Sequence, residues 1–496
     1  MGRFYCSQRP PNQTAGINAI NIPKSIFSSG QGVVPLRPRL ENWMCELLQD
    51  RSRLDRLIER FGAPLNIQAV EPFHRNIARL TDCVAAYDLP FMPMFARKAN
   101  KCLSFVQAAR DAGVGIDTAS HAEVEQSLAQ GIPGDRIVCT AAVKDRALIT
   151  LCVRGGVTII LDNEDELALL EEVVEGAHLP VSVGLRLNGF ERDGATLYSR
   201  FGFPLSEVKT LAKRIARNQE LRLDGLHFHL NGYSAEDRIA AILQVLPLII
   251  ELKKSSAPLF FLDIGGGIPM NYLDDIAQWD IWLAELDRAL AGNREPITQH
   301  NDGLGRKHGC EGASGKIESY PVAQTLVQQE WLRHILDYVA EGQTVAEHLK
   351  AADISLRCEP GRSLLDGCGL TIARVMFCKR DSAGTAVIGV EMNRTQSRSG
   401  FAEFALDPLM IPCSGPRGGA IEGYLAGTYC TESEWLTRRK MVFPQGIRAG
   451  DLLAFPNTAG YLMHFLESRS HQFPLAKNVF IQPDSETPAV LDDIDR

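Results

Sequence analysis

The chain has 496 residues, of which 45% are hydrophobic and 23% are charged, and its formal net charge at pH 7 is −8. This length exceeds one ordinary hydrophobic core and predicts two domains, while the composition is that of a globular protein. The charge is modest and no basic run or basic-aromatic stripe is present, which excludes a nucleic-acid-binding class and favours small-molecule partners.

The apolar segments and the cysteines indicate where the protein works. The apolar stretch 239–252 is interrupted by Gln244 and Pro247 and is too short to span a bilayer. The start MGRFYCSQRPPNQ lacks a hydrophobic signal core, and Cys6 stands where a myristoylation signal needs Ser or Thr. The 12 cysteines form no CxxC pair, which is typical of reduced thiols. We therefore expect a cytoplasmic protein without a membrane partner.

The N-terminal region divides into two segments. Residues 1–35 are rich in Ser, Gly, Pro and Asn, which predicts a poorly ordered segment. Residues 39–61 show helical periodicity. We expect segment 36–89 to form a helix and a strand that pack on a C-terminal β domain.

Eight short apolar runs then alternate with amphipathic helical stretches, and turn formers bound each run. Ser120 and Asn163 are expected to cap two of the helices. Eight strands separated by helices predict a (β/α)8 TIM barrel over residues 90–372, since such barrels have about 250 residues. The predicted strands are 91–98, 114–120, 136–142, 157–163, 181–188, 222–230, 259–267 and 354–362.

Two regions do not follow the barrel pattern. Between Gly267 and Ile354 the chain is far longer than one helix requires, and we interpret 292–320 as a large inserted loop at the barrel mouth. From 373 to 496, runs such as TAVIGVEM and DLLAFPNTAGYL resemble strands without long helices between them. The sequence therefore predicts an α/β chain, a TIM barrel followed by an all-β domain.

The ends of the predicted barrel strands carry polar groups or glycines. Catalytic residues of such barrels gather at the C-terminal ends of the strands. We therefore expect one site at the barrel mouth, formed by Lys98, Asp117, Arg186, His227, His229, Gly265, Gly266, Gly267, Glu359 and Arg362.

Lys98 and the glycine run each have two interpretations. Lys98 ends the apolar run FMPMFARK, and a buried lysine shifts its pKa downward and becomes a nucleophile, whereas a surface lysine would simply open a helix. The glycines 265–267 directly follow a strand, where their N–H groups could approach a phosphate. A tight turn is the alternative.

Glu359 and Arg362 lie in CEPGR, where Pro and Gly turn the chain at a strand end. An arginine suits a phosphate and a carboxylate suits a protonated ring nitrogen, unless the two residues pair with each other. Asp117 is expected to have a partner, while Ser120 and Glu123 fit a capping box.

His227 and His229 share one strand face by alternation. An imidazole there could stack on a flat cofactor ring, or the two histidines could chelate zinc. No third ligand of suitable spacing is visible in the sequence, so we expect no metal.

Five motifs occur in one order along the chain, namely FARKAN, HFHLNG, LDIGGGIP, CEPGRS and GTYCTES. Together they resemble the fold-type III pyridoxal-phosphate decarboxylases, which include the diaminopimelate, ornithine and arginine decarboxylases and share their barrel with alanine racemase. The resemblance extends over residues 60–475. It implies a decarboxylase of amino-acid metabolism with an alanine racemase-like fold and pyridoxal 5'-phosphate as cofactor.

The resemblance also implies roles for individual residues. Lys98 matches the Schiff-base lysine, His229 the ring-stacking imidazole and Glu359 the partner of the pyridine nitrogen. Cys430 matches a catalytic cysteine that enters the neighbouring subunit's site, which implies a homodimer with shared active sites. The remaining cofactor-binding matches are Asp117, Gly265, Gly266, Gly267, Arg362 and Tyr461.

The chain departs from the family pattern near the substrate and the phosphate. Asn231 and Gly232 replace the usual Gly-Ser, and FALDPLMIP stands near where diaminopimelate decarboxylases carry Arg-Pro-x-Leu-Tyr. We therefore expect a diamino acid other than diaminopimelate, or a related biosynthetic intermediate. Arg186 and Glu432 are the candidate substrate-binding residues, although Glu432 could equally be a solvated loop residue.

Three alternatives remain open at this point. An amino-acid racemase on the same barrel would place an arginine, not Glu359, against the ring nitrogen. A non-catalytic pyridoxal-phosphate-binding homologue with a regulatory role would not need Lys98, Glu359, Arg362 and Cys430 together. A metal-dependent barrel hydrolase using the two histidines would leave the GGG and EPGR motifs unexplained.

Overall fold

The computed structural model describes residues 29–176, 180–255, 258–310, 312–400, 402–482 and 489–496. Most of the segment predicted to be poorly ordered, residues 1–28, lies outside this part of the chain. Residues 29–35 pack against the body of the protein: strand β1 (Gln31–Gly32) pairs antiparallel with 441–442, and Val34 is buried. Regular structure thus begins before residue 36.

Eight parallel strands form a closed barrel in the described part of the chain, and all eight predicted barrel strands are confirmed. The barrel closes through pairing of Ile159 with Val183 and of Leu356 with Phe91. The strands are β3 (Phe91–Ala96), β4 (Gly115–Thr118), β5 (Ile137–Cys139), β6 (Thr158–Leu161), β7 (Val181–Asn188), β11 (Leu221–His227), β12 (Phe261–Asp263) and β17 (Ser355–Cys358).

Large side chains from several strands fill the barrel interior. Met94, Val138, Ile160 and Phe261 form one buried cluster. Gly225 makes room for it, because a Cβ there would lie 2.3 Å from the Phe261 ring. The barrel is therefore a packed core, and chemistry is confined to its mouth.

Helices surround the barrel, and side-chain caps fix where several of them begin. Ser120 accepts from the backbone of Glu123, and Asn163 accepts from Glu166, as predicted. The Glu123 carboxylate bonds the N–H of Ala119 rather than that of Ser120. The helices are α3 (Glu71–Ala85), α4 (Leu103–Asp111), α5 (His121–Ala129), α6 (Arg146–Gly155), α7 (Glu164–Val173), α8 (Val208–Arg217), α9 (Ala235–Lys254), α11 (Gln328–Leu336) and α12 (Val345–Ala351).

Pro247 lies inside the 20-residue helix α9. Within the described ranges, no helix combines the length and the apolar character that crossing a membrane requires.

Helix α3 packs on the barrel, where the rings of Phe73 and Phe95 lie 5.0 Å apart.

A ten-stranded sheet forms the second domain, and it includes N-terminal residues. Strand β2 lies between β18 and β24, and helices α1 (Asn42–Gln49) and α2 (Arg51–Phe61) pack on the sheet through residues such as Leu47 and Leu57. Strands of this sheet other than β1 are β2 (Leu65–Gln68), β18 (Gly369–Arg380), β19 (Ala386–Val390), β20 (Leu409–Ile411), β21 (Ile421–Ala426), β22 (Met441–Phe443), β23 (Leu452–Pro456), β24 (Lys477–Phe480) and β25 (Val490–Leu491).

The region between β12 and α11 contains more than a loop. Helix α10 (Ala277–Leu290) precedes segment 292–320, which holds the paired strands β13 (Lys307–Gly309) and β14 (Gly312–Ser314). Thr298 bridges to Arg439 and Ser319 to Glu403, so the segment is attached to the β domain. Short strands elsewhere are β8 (Glu191–Arg192), β9 (Ala195–Thr196), β10 (Phe203–Pro204), β15 (Val339–Ala340) and β16 (Gln343–Thr344).

Candidate active site

Lys98 forms an ion pair at the mouth of the barrel. It lies in a 3-10 turn, Arg97–Ala99, directly after β3, and its Nζ is 2.9 Å from Oδ2 of Asp117. Asp117 is buried on β4 and also accepts a hydrogen bond from the Thr140 hydroxyl. The prediction that Asp117 has a partner is therefore confirmed.

The pKa of Lys98 does not follow the expectation for a buried lysine. Burial lowers it, but the charges of Asp117 and Glu359 raise it by more, so the pKa of Lys98 lies above its ordinary value. The expectation of a lowered pKa was wrong because it ignored these two carboxylates, which the fold brings to the same mouth.

Glu359, at the end of β17, is paired with a histidine. Its Oε1 lies 2.9 Å from Nε2 of His227, and both side chains are buried. Burial raises the pKa of Glu359 and lowers that of His227 well below its usual range. The alternative in which Glu359 pairs with Arg362 is not found among the described contacts.

Asp263 joins this pair from a third strand. The ligand atoms of His227, Asp263 and Glu359 all lie within 4.8 Å of one another, in an arrangement that could hold a metal ion. The sequence showed no third ligand beside the two histidines; the structure groups Asp263 and Glu359 with His227 but not with His229, since residues on β11, β12 and β17 meet only in the barrel. Burial raises the pKa of Asp263 well above its usual value, and Asp263 accepts from the N–H of Gly265 at 2.9 Å.

His229 lies just past β11, beside the glycine loop. Its Nδ1 accepts from the N–H of Gly266 at 3.0 Å and lies 3.9 Å from Oε2 of Glu359. Burial and the charge of Lys98 hold the pKa of His229 well below its usual range. The ring is therefore neutral, with its proton on Nε2.

The glycines 265–267 are required by close packing. Gly265 and Gly267 have positive φ angles of 67° and 89°. A Cβ on Gly266 would lie 2.7 Å from the Glu359 carbonyl oxygen, and one on Gly267 would lie 2.4 Å from Nη2 of Arg238. No larger residue fits this loop without displacing its neighbours.

A cavity of about 160 Å³ lies beside this loop. Its walls include His229, Asn231, Tyr233, Gly267, Arg362 and Tyr461.

Arg362 brings an uncompensated positive charge to the cavity. Its Cζ lies 4.7 Å from the ring of Tyr320, 5.0 Å from that of Tyr233 and 5.4 Å from that of Tyr461. Its Nη1 is buried and has no hydrogen-bond partner among the described residues. A buried guanidinium without a counter-ion, facing a cavity beside a glycine loop, suits a phosphate.

Of the other predicted residues, Arg186 lies beside this cluster, whereas Cys430 and Glu432 lie apart from it. Arg186 pairs with His227 across strands β7 and β11, and its charge works against the burial that raises the pKa of Glu359. Arg186, on β7, has Nη1 3.7 Å from Oδ1 of Asp162, and its Cζ lies 4.1 Å from the Phe201 ring. Cys430 and Glu432 are exposed on the connection between β21 and β22. In the part of the chain that the structure describes, neither forms a hydrogen bond or ion pair with the Lys98 cluster.

Several site residues were not identified from the sequence. Thr140 supports Asp117, and Tyr233 and Tyr320 surround Arg362. Arg238 donates from Nη2 to the carbonyls of Leu230, Gly232 and Gly266 at 2.7, 2.8 and 3.2 Å. Only Asp263 carried a signal, since it precedes the glycine run by two positions.

The sequence is similar to those of known proteins. Residues 73–302 match the family model described as the pyridoxal binding domain of pyridoxal-dependent decarboxylases. The chain is 32% identical over 439 residues to the uncharacterized protein y4yA of Sinorhizobium fredii, covering 86% of this chain and 89% of that protein. It is 23% identical to a diaminopimelate decarboxylase of Pseudomonas aeruginosa, covering 84% and 87% of the two chains.

The fold has close counterparts among solved structures. Diaminopimelate decarboxylase of M. jannaschii, solved in complex with L-lysine, superimposes with a TM-score of 0.67 at 18% identity, covering 88% of this chain and 90% of that chain. It shares the barrel and the β domain.

The site residues fit the cofactor of these relatives, because they offer an amine, a deeply placed carboxylate and a free cation beside a glycine loop. The cofactor is pyridoxal phosphate, and the reaction is decarboxylation of an amino acid. From the match to the pyridoxal binding domain and the similarity to diaminopimelate decarboxylases over most of its length, the chain belongs to the fold-type III pyridoxal-phosphate-dependent decarboxylases, which are carboxy-lyases.

Proposed function

We propose that Lys98 holds pyridoxal phosphate at the barrel mouth, and that this site decarboxylates a diamino acid or a related biosynthetic intermediate. The observation that carries the proposal is the 2.9 Å pair of Lys98 and Asp117, which stands at the same mouth as Glu359 and the Arg362 cavity. The named relatives that decarboxylate diaminopimelate support the substrate class.

Each part of the cofactor has a proposed holder. Arg362, Gly267 and Tyr461 would bind the phosphate, since they border one cavity. Gly265 and Gly266, whose N–H groups donate to Asp263 and His229, would shape the loop beside it. His229 would lie against the ring, and Glu359 would meet the ring nitrogen. When bound, pyridoxal phosphate supplies an electron sink for the electron pair that departing carbon dioxide leaves on the α-carbon.

Lys98 must lose a proton before its Nζ can attack a carbonyl carbon. Its raised pKa means that the proton has to be accepted nearby, and Asp117 is within hydrogen-bond distance. Burial raises the pKa of Asp117, which makes this carboxylate a better proton acceptor than an exposed one. Asp117 therefore serves as the proton partner of Lys98.

Glu359 distinguishes a decarboxylase from a racemase. A buried carboxylate with a raised pKa can hold a proton on an adjacent ring nitrogen, whereas an arginine in that place would repel it. His227 fixes the carboxylate through Oε1. Oε2 remains on the side of His229, where the ring of the cofactor is expected.

The substrate-binding side of the site differs from that of the diaminopimelate enzymes. In FALDPLMIP, Phe404 and Leu406 are buried in a hydrophobic cluster, and Asp407 pairs with Arg439 at 2.7 Å. This segment therefore builds the domain interior and offers no clamp for a distal group. We propose that Arg186 and Glu432 bind the substrate instead.

We also propose a homodimer in which Cys430 completes the site of the partner subunit. Cys430 is exposed and has no contact with the Lys98 cluster of its own chain among the described residues. The exposed apolar side chain of Phe465, 52% exposed with its ring 5.7 Å from that of Tyr461, favours an interface beside the site. The eleven cysteines within the described ranges form no disulfide, which supports the cytoplasm as the compartment.

The cofactor site is tested by spectroscopy and mass mapping. The purified protein should show an absorbance band near ~420 nm, and borohydride reduction should attach the cofactor to the peptide that contains Lys98. Lys98→Ala should abolish both signals. Lys101→Ala, which removes a lysine paired with Glu467, is the matched control and should keep them. A band that survives Lys98→Ala would refute the assignment.

The reaction is tested with a panel of L- and D-amino acids. We expect carbon dioxide release from a diamino acid or a related intermediate. Exchange of the α-proton without carbon dioxide release would instead indicate a racemase. A protein that binds the cofactor through Lys98 but converts no amino acid of either hand would support the regulatory homologue.

A further inference from the structure

The inserted segment 292–320 ends at Tyr320, whose ring lies against Arg362 in the wall of the cavity. Its last residue, Tyr320, is 2% exposed, and its N–H donates to the carbonyl of Glu403 in the β domain at 2.7 Å. The Tyr320 hydroxyl donates to the carbonyl of Gly460 at 2.9 Å. Gly460 precedes Tyr461 and packs against Arg362, so Tyr320 contacts two elements of the proposed phosphate site.

The ring of Tyr320 is the closest of the three aromatic rings to Arg362, with Cζ 4.7 Å from its centroid. No carboxylate of the described residues forms an ion pair with Arg362, and its Nη1 has no hydrogen-bond partner there. A buried guanidinium held in this way depends on aromatic faces to fix its direction. The orientation of Arg362 is therefore set by tyrosine rings rather than by an acidic residue.

The β domain holds the inserted segment in place. Lys440 N–H donates to the carbonyl of Ile297 at 2.8 Å, and Gln299 N–H donates to that of Arg438 at 2.8 Å. The hydroxyl of Tyr424 donates to the carbonyl of Thr298 at 3.1 Å. With both ends attached, the segment presents Tyr320 in one position.

We propose that Tyr320 is a positioning residue that aims the Arg362 guanidinium at the phosphate of the cofactor, so that the inserted segment is part of the cofactor site. This inference rests on the proposed function, which places the phosphate at Arg362. It assigns a role to an insertion that the barrel itself does not need, and it requires no contact between Tyr320 and the cofactor.

The test compares two ligands that differ only in the phosphate. Apoprotein is titrated with pyridoxal phosphate and with pyridoxal, and the Kd values are read from absorbance. Tyr320→Leu should raise the Kd for pyridoxal phosphate about tenfold. This is the size of effect expected when a desolvated cation loses an aromatic face. The Kd for pyridoxal should not change. Tyr320→Phe keeps the ring and should keep most of the affinity.

Two further variants separate positioning from general damage. Tyr338→Leu makes the same change at a tyrosine outside the inserted segment that is 45% exposed, and it should leave both Kd values unchanged. When Arg362→Leu is already present, Tyr320→Leu should cause no further loss of affinity for pyridoxal phosphate, because Tyr320 acts on the phosphate only through Arg362. Tyr320→Met, an unbranched side chain of similar reach, carries the test if Tyr320→Leu does not fold.

The inference would be overturned if Tyr320→Leu raised the Kd values for both ligands equally, or left the Kd for pyridoxal phosphate unchanged. It would also be overturned if Tyr320→Leu caused an additional loss of affinity when Arg362→Leu is already present. Failure of the proposed function would give a different result, because the wild-type protein would then show no Lys98-dependent absorbance band. A wild-type band with unaltered affinities in the Tyr320 variants refutes only the role of Tyr320.

Discussion

The Nζ of Lys98 lies 2.9 Å from Oδ2 of Asp117, and this pair links the first two strands of the barrel at its mouth. Asp117 is held from the other side by the hydroxyl of Thr140. Because the carboxylate is buried and fixed, the proton that it shares with Lys98 controls when Nζ is free to react.

Asp117→Asn should lower the pH at which the apoprotein takes up its cofactor. Burial lowers the pKa of Lys98 and the charge of Asp117 raises it, so removal of that charge lowers the pKa, and Lys98 loses its proton at lower pH. The rate of appearance of the absorbance band, followed from pH 6 to pH 10, measures this midpoint.

Asp162→Asn is the control, because Asp162 faces Arg186 at 3.7 Å and not Lys98. An Asp117→Asn midpoint equal to that of the wild-type protein would show that Asp117 does not govern the proton on Lys98.

Glu359→Gln should reduce the decarboxylation rate at least about a hundredfold, because the amide cannot keep a proton on the ring nitrogen. The free energy of unfolding should not fall, since burial already raises the pKa of Glu359 and disfavours its charge. Single-turnover kinetics and urea unfolding give the two quantities. A large loss of stability with full activity would assign Glu359 a structural role instead.

The barrel could be predicted because every strand is a short run rich in apolar or β-branched residues, as is typical of strands covered on both faces. The same logic placed Lys98, Asp117 and Glu359 at one end, since parallel strands all point the same way. Tyr320 could not be found in this manner. It belongs to an insertion whose path depends on contacts with the β domain at Glu403, far along the chain.

The pKa of Lys98 shows a second limit of prediction from the sequence. Burial lowers this pKa and neighbouring charges raise it, and the positions of Asp117 and Glu359 in the folded barrel decide which effect prevails. Likewise, strand alternation placed His227 and His229 on one face but could not reveal Asp263 and Glu359 beside them. Partners that come from different strands require the closed barrel.

Arg238→Leu should destabilise the protein by about 3 kcal/mol, because it leaves several buried carbonyls without a donor. Those carbonyls belong to the two loops that border the phosphate cavity, at Gly232 and Gly266. The affinity for pyridoxal phosphate should therefore fall as well. Urea unfolding and cofactor titration measure the two effects.

The matched control is Arg333→Leu, which removes a half-exposed arginine paired with the exposed Glu330 one turn away on helix α11. It should change stability by less than about 1 kcal/mol. If both variants lose the same stability, Arg238 does not hold the loops through its carbonyl contacts.

The stability of the folded chain should depend on pH through His464. Burial lowers its pKa to about 3, from an ordinary value of 6.5. Between these values the unfolded chain binds a proton that the folded chain refuses. The contribution of His464 to the free energy of unfolding is therefore complete above pH 6.5. It is lost as the pH falls toward 3, and the free energy of unfolding falls by at most about 1.4 kcal/mol per pH unit.

Replacing His464 with glutamine should flatten this dependence while the variant remains folded at neutral pH. The Nδ1 of His464 accepts from the N–H of Lys101 at 3.4 Å, and its Nε2 lies 2.8 Å from Oδ1 of Asn478, so an amide can keep part of this bonding. Urea unfolding of the cofactor-loaded protein at pH 7, 6 and 5 gives the slope, and His121→Gln, at an exposed position, is the control. Since Lys101 follows Lys98 by three positions, a flattened slope would also mean that acid weakens the segment carrying the proposed cofactor lysine. Parallel curves for wild type and His464→Gln would show that His464 binds its proton equally in both states.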